Sequence, residues 1–246
     1  MAGFVEIESP DDERLAPFRL RERGLSSRAE RRDDAGAGLF LAEGDLVVDR
    51  AHRAGCRPFM ALADADRVPA VGHRLAEQVD VFVGGDEIRQ MVTGLGMPHP
   101  IVALYHRPAR PSAQELLETT ERLVVVEAVE NPVNVGSIVR NAAALGWGGL
   151  LLDHNSADPL SRRALRVAMG TAFELPHART TDLAGVLAGA GTHHQLLALT
   201  PNDAAVDIGE VRPAARRALL IGAERSGLSA DLLRLAEPVR IPMAGG

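Results

Sequence analysis

The sequence predicts an α/β protein. A C-terminal domain is built on a mainly parallel sheet with helices on both faces, and a small α/β domain precedes it. Three observations carry this expectation. Short apolar runs alternate with helical stretches along both halves of the chain. The run Leu123–Ala128 (LVVVEA) is almost continuously apolar and β-branched, as in a strand covered on both faces. Between the halves lies His106–Ser112 (HRPARPS), whose prolines and arginines interrupt the pattern as a linker does. The expected boundaries are residues 1–106 for the first domain, 107–118 for the linker and 119–246 for the second domain.

In the first half, Gly38–Ala42, Pro58–Ala63, Val79–Val83 and Ile101–Leu104 read as strands, and Asp45–Ala54 as a helix. Ahead of them lies a segment of mixed charge. Arg14, Arg19, Arg21, Arg23, Arg28, Arg31 and Arg32 sit there among acids, which suits a solvated helix and loop or a weak RNA-contacting face. In the second half, Val135–Leu145 reads as a helix and Leu150–Asp153 as a strand. Asp158, with Pro159 behind it, reads as the cap of a helix reaching Ala168. Asp182 caps a short helix over Leu183–Leu187. Leu196–Thr200, Ala218–Gly222 and Val239–Ile241 read as strands, with a helix across Asp231–Leu235. Strands separated by helices imply parallel pairing. In such sheets ligands bind outside the carboxyl ends of the strands.

Composition excludes several classes. The net charge of −6 is wrong for a protein that coats nucleic acid, although a local patch can still bind RNA. All 27 basic Lys/Arg residues are arginine. Aromatic residues are only 3% of the chain, too few for a base-stacking platform. A single cysteine, Cys56, excludes an internal disulfide framework and reads as a small helix-face residue. The N-terminus lacks the basic start and apolar stretch of a secretory signal, and no apolar run is long enough to span a bilayer. A cytoplasmic location without membrane is therefore expected. Neither GxGxxG nor GxxxxGK[ST] occurs. Adjacent His193 and His194 at a strand start point to opposite faces and make a poor metal pair, so no metal site is expected.

Polar residues concentrate at the strand ends. After LVVVEA comes Glu130–Asn141 (ENPVNVGSIVRN), where Asn134 is placed to cap a helix and Arg140 lies within its first two turns. Exposed backbone N–H groups beside a guanidinium suit a phosphate. The strand ALLIG runs into Ala223–Ser229 (AERSGLS), where Gly222 permits close backbone approach and Glu224 is placed to order the loop. Arg162 and Arg166 share one helix face, with Arg163 beside them, and suit either solvent or RNA phosphate.

Together, NPVNVGSIVRNAAALG, LLIGAERSGLS and the ending VRIPMAGG resemble the three ordered motifs of the SpoU/TrmH family, RNA ribose 2′-O-methyltransferases of the SPOUT class. The resemblance spans residues 123–246. More loosely, GLFLAEGDLVVDRAHRAG is similar to the L30e-type RNA-binding domain that many members carry. The resemblance implies a trefoil-knotted domain, S-adenosylmethionine as methyl donor, and a homodimer. It places the donor against Leu199 and Thr200, then Gly222, Ala223 and Glu224, then Ile241 and Met243. It gives Arg140 the catalytic role, with Asn134 helping to position it, and RNA contact to Arg162, Arg163 and Arg166. Ribosomal RNA is the expected substrate, ahead of transfer RNA. The family pattern continues past IPMAGG with a Ser-Leu-Asn segment and a last helix. Those residues would thread the knot, close the donor pocket and bring a polar group near Arg140. The alternative is a catalytically silent RNA-binding or ribosome-assembly protein on the same scaffold.

Overall fold

The computed structural model describes residues 2–26, 38–94, 98–190 and 193–242. Among them the chain forms two compact units. One holds residues up to 109 together with 159–174; the other holds 110–158 and the chain from 175 onward. Arg28, Arg31, Arg32 and Met243 lie outside the described residues.

The first unit is built on a five-stranded sheet of β1 (Phe4–Glu6), β2 (Leu39–Glu43), β3 (Pro58–Asp64), β4 (Val81–Gly84) and β5 (Ile101–His106), in the order β1–β4–β3–β5–β2. β4 runs parallel to β1 and β3, while β5 runs antiparallel to β3 and β2. Leu41, Leu62, Phe82 and Leu104 pack on one face, with Leu15 and Phe18 from a 3-10 helix, Glu13–Arg19, against them. β1 and the helices Ala70–Ala76 and Asp86–Thr93 go beyond the sequence expectation, because each is short. Cys56 lies beyond the end of the helix Asp45–Arg53, not on its face. It is buried, and burial pushes its thiol up to about 11.

Residues 159–174 group with this unit, unlike the continuous boundary expected from the sequence. The reason is a buried carboxylate. Glu43 is 6% exposed, at the end of β2. Arg162 Nε donates to its Oε1 at 2.6 Å, and Arg166 Nε donates to its Oε2 at 3.2 Å. The Arg162 backbone N–H also donates to Glu22 at 3.2 Å. The Phe173 ring lies 5.3 Å from that of Phe40. These arginines sit on a helix, Arg162–Ala168, capped by Ser161 and not by Asp158. The chain makes a turn at Pro159 and Leu160 first, so the helix starts later than Pro159 suggests.

The second unit is built on seven strands: β6 (Arg122–Val126), β7 (Gly149–Asp153), β8 (His177–Thr180), β9 (Gln195–Leu199), β10 (Val206–Asp207), β11 (Arg217–Ile221) and β12 (Glu237–Arg240). Their order is β10–β12–β9–β11–β6–β7–β8, and every pairing is parallel. The carboxyl ends of β12, β9, β11, β6 and β7 therefore open side by side. Leu123, Val125, Leu151, Ala218 and Leu220 are buried beneath the helices that cover the sheet. The second half of the expected linker is a helix, Ala113–Thr119. Ser112 and Glu115 form a reciprocal capping box at its start, and Leu116 and Leu117 are buried. His194 is buried with Nε2 2.8 Å from the Thr120 carbonyl, a structural contact.

Candidate functional site

The helix that follows β6 runs from Pro132 to Ala144. Asn131 caps it, accepting from the Val133 N–H at 3.0 Å, with Pro132 at the first helical position. Asn134, expected as the cap, instead lies inside the first turn. Its side chain is therefore released to bond elsewhere, and its Nδ2 donates to Glu224 Oε1 in the loop after β11. The two polar motifs are thus joined directly. Arg140 sits farther along the same helix. It is exposed, and no hydrogen bond or ion pair holds it among the described residues.

The loop after β11 is closed by a reciprocal pair of hydrogen bonds. Ala223 N–H donates to the Gly227 carbonyl at 3.2 Å, and Gly227 N–H donates to the Ala223 carbonyl at 3.0 Å. Gly222 is required by this closure, since a Cβ there would collide with the Gly227 backbone carbonyl. Gly227 takes φ +68°, the left-handed region. Ser229 then caps the helix Ala230–Leu235.

On one side of this loop lie the ends of β9 and β12. Leu199, Thr200, Gly222 and Ala223 are partly exposed there, and Ile241 presents an apolar side chain that is 57% exposed. Thr200 N–H is tied to the Val239 carbonyl at 2.9 Å, so these ends are held in register. The surface combines backbone groups, one exposed aliphatic side chain and the nearby Glu224 carboxylate. That set suits a flat, largely uncharged heterocycle carrying a positive group.

On the other side, the ends of β6 and β7 are held by a network with little trace in the sequence. Ala128 adopts φ +54°, uncommon for a residue with a Cβ. Asp153 Oδ1 accepts from Ala128 N–H at 3.0 Å and from Ser156 N–H at 2.9 Å, and the Ser156 hydroxyl also donates to it. Val129 N–H donates to that hydroxyl oxygen at 3.1 Å, and Ala157 N–H to the Val129 carbonyl at 2.8 Å. Arg179, buried in β8, clamps the turn. Its guanidinium donates to the carbonyls of Asp153, Ser156 and Ala157 at 2.7, 2.9 and 2.7 Å. The turn 153–157 thereby fixes the stretch that leads into the helix carrying Asn134 and Arg140. His177, two residues earlier on β8, is buried. Burial, helped by the neighbouring Arg110, pushes its imidazole down to about 4.

Of the residues singled out in the sequence, the structure brings together Asn134, Glu224 and the strand-end residues Leu199, Thr200, Gly222, Ala223 and Ile241. Arg162 and Arg166 belong to the first unit, where both pair with Glu43; the Arg166 side chain stays 52% exposed and Arg163 is exposed. Sequence reasoning missed Asp153, Ser156 and Arg179. A capped strand end (Asp153 with Ser156 three residues on) is the only local signal, and Arg179 lies too far along the chain to be linked with it.

Residues 121–246 match the family described as SpoU rRNA Methylase family. The chain is 36% identical over 256 aligned residues to an uncharacterized tRNA/rRNA methyltransferase of Mycobacterium tuberculosis, covering 98% of this chain and 85% of that protein. It is 26% identical to the 23S rRNA (guanosine(2553)-2′-O)-methyltransferase of Bacillus subtilis, covering 98% of this chain and 91% of the relative. Its fold is similar to that of an AdoMet-bound rRNA methyltransferase from Sinorhizobium meliloti, with a TM-score of 0.78 at 24% identity, over 98% of this chain and 90% of that one.

Proposed function

Because the chain belongs to the SpoU rRNA methylase family, we propose that the Asn134–Glu224 junction and Arg140 carry out S-adenosylmethionine-dependent methylation of a ribose 2′-hydroxyl in ribosomal RNA. The supporting observation is that junction itself. It ties the helix bearing Arg140 to the loop whose other flank is the surface suited to the donor.

The residues present fit the donor. Leu199, Thr200, Gly222, Ala223 and Ile241 would hold it, with the Glu224 carboxylate available to its positive charge; the family resemblance adds Met243 to this set. Bound there, S-adenosylmethionine supplies an electrophilic methyl group on a sulfonium. The chain itself aligns a hydroxyl with that group. Arg140 is free of internal partners among the described residues and so is available to an RNA phosphate, which it grips while stabilising charge that develops on the 2′ oxygen. A guanidinium keeps its proton at working pH, so Arg140 is not the base. Removal of the hydroxyl proton is shared with the substrate phosphate that Arg140 holds. Asn134, oriented by Glu224, fixes the first turn of the helix and with it the height of Arg140.

Arg163 and the exposed part of Arg166 contribute phosphate contacts from the first unit. The reading includes a trefoil knot in the seven-stranded unit and a homodimer as the active form. Mapping ribose methylation across total RNA from cells with and without the gene tests it. A 2′-O-methyl group lost from ribosomal RNA supports it. A map without change, with purified protein that binds no S-adenosylmethionine, favours the silent RNA-binding module instead.

A further inference from the structure

A cleft of about 390 Å³ opens in the first unit, lined by Phe59, Met60, Gln78, Val79, Asp80 and Phe82. That volume lies in the range of small-ligand pockets, about 300–1,000 Å³. Met60 and Phe82 are buried and form its floor. The Arg14 guanidinium lies 5.5 Å from the centre of the Phe82 ring.

Phe59 forms one wall, and the backbone is bent to place it there. Pro58 stands opposite Tyr105 and Met60 opposite Leu104. Tyr105 and Leu104 are consecutive, so Phe59 is an extra residue in β3. Side chains of a regular strand alternate between faces. The bulge lets Phe59 and Met60, neighbours in the chain, line the same cleft. The Phe59 ring stays 41% exposed. His106 meets it edge to face, with ring centroids 5.5 Å apart at 82°. Burial, helped by the neighbouring Arg57, holds the His106 imidazole below its ordinary value, so the contact is uncharged at neutral pH.

The rim is polar. Gln78 and Asp80, both exposed, stand where the chain enters β4, and exposed Arg57 stands where it enters β3. No hydrogen bond or ion pair engages these three side chains among the described residues, although Asp80 lies within electrostatic reach of Arg14.

We infer that this cleft takes one unpaired base of the RNA substrate, as a grip on the RNA separate from the methyl-transfer residues of the second unit. This rests on the methyltransferase reading above. An unstacked base has an open π face and a polar edge. Phe59 offers the stacking surface, Gln78 a donor and an acceptor for the edge, and Asp80 an acceptor. Arg57, two residues before Phe59, takes the adjoining phosphate. An apolar side chain of a protein partner would set Gln78 and Asp80 against a group that bonds neither. One ring serves one base, so a chain too poor in aromatics for a broad stacking platform still makes this contact. A base inside a duplex has its faces covered and its edge bonded, so the cleft selects bulged or single-stranded positions. Stacking tolerates any base, so no base identity is set here.

The test is titration of the full ¹⁵N-labelled chain with oligoadenylate, alone and annealed to oligouridylate, read by amide shifts. The single strand is expected to shift Phe59, Met60, Val79 and Phe82, and the duplex to leave them in place. Phe59→Leu should weaken single-strand binding at least about fivefold, while Phe59→Trp, which keeps a stacking face, should preserve it. Arg57→Gln should flatten the slope of log affinity against log salt by about 0.7, the share of one phosphate on a single strand. Equal shifts with the duplex, shifts confined to other residues, the same shifts with inorganic tripolyphosphate alone, or parental affinity in Phe59→Leu overturn the inference. S-adenosylmethionine binding, measured on the same sample by calorimetry, keeps the two readings apart. Donor binding without shifts at the cleft overturns the cleft assignment only. Shifts at the cleft in a chain that binds no donor support the cleft and count against methyl transfer.

Discussion

The Asn134 side-chain amide donates to the Glu224 carboxylate, across 90 residues of sequence. One residue stands on the helix after β6 and the other in the loop after β11, two neighbouring parallel strands. If this contact sets the height of Arg140, Asn134→Ala and Glu224→Ala should lower methyl transfer by similar factors. The double variant should lose no more than the worse single one, because both remove the same interaction. Transfer of tritiated methyl to unmodified ribosomal RNA measures it. Additive losses would separate the two residues.

The Arg140 side chain is exposed and makes no hydrogen bond or ion pair among the described residues, so Arg140→Ala should leave thermal stability within about 0.5 kcal/mol of the parent. Methyl transfer should fall about 10²–10³-fold, the usual loss for one preorganised charge contact. Donor affinity by calorimetry should be unchanged. Near-parental transfer by the variant would remove Arg140 from the reaction.

The turn 153–157 holds Ala128 in a left-handed conformation. Ser156→Ala removes the acceptor for Val129 N–H and a donor to Asp153, and should cost about 1–3 kcal/mol in urea unfolding. Ala128→Gly works in the opposite direction. Relief of about 1–2 kcal/mol of left-handed strain exceeds the added chain entropy, so stability should rise slightly. A drop in stability for Ala128→Gly would show that its methyl group packs usefully.

Glu43 pairs with both Arg162 and Arg166 from a site where its own side chain is 3% exposed. Glu43→Gln should cost about 2 kcal/mol, less than the ~3–5 kcal/mol for breaking a fully buried pair, since Arg166 is half exposed. Hydrogen exchange should localise the loss to residues 159–174. Uniform loosening of the chain would argue against so local a role.

His177 gives the protein an acid-side weakness. Its folded-state value of about 4 lies below the ordinary 6.5, so the unfolded chain takes up a proton first as pH falls. The neutral imidazole's contribution is complete above about pH 6.5 and is lost progressively toward pH 4. Across that window the loss is about 3 kcal/mol. His177→Gln should flatten the melting temperature between pH 6.5 and 4 relative to the parent. An unchanged slope would place the sensitivity in the carboxylates instead.

Much of this architecture is legible in the sequence because it is local. Runs such as LVVVEA and ALLIG are read by their apolar continuity, and β6 and β11 lie within two residues of those runs. The strand-end polar residues stand out because a parallel sheet directs chemistry there. What escapes a sequence reading is set by distant partners. β8 carries His177 and Arg179 in a polar run whose burial depends on carbonyls more than twenty residues away. Arg162 reads as facing solvent or RNA because Glu43, 119 residues earlier, gives no local sign of its interest. Asn134 resembles a cap because Asn131, three residues before it, offers the same chemistry.

The placement of 159–174 has a temporal consequence. Domains generally form as they leave the ribosome, the N-terminal one first. Here the leading module cannot finish until residue 174 has emerged, so Glu43 and Phe40 wait, unsatisfied, through the synthesis of two strands of the trailing one. A nascent chain halted near residue 109 should therefore recruit chaperones, whereas one halted well beyond residue 174 should not.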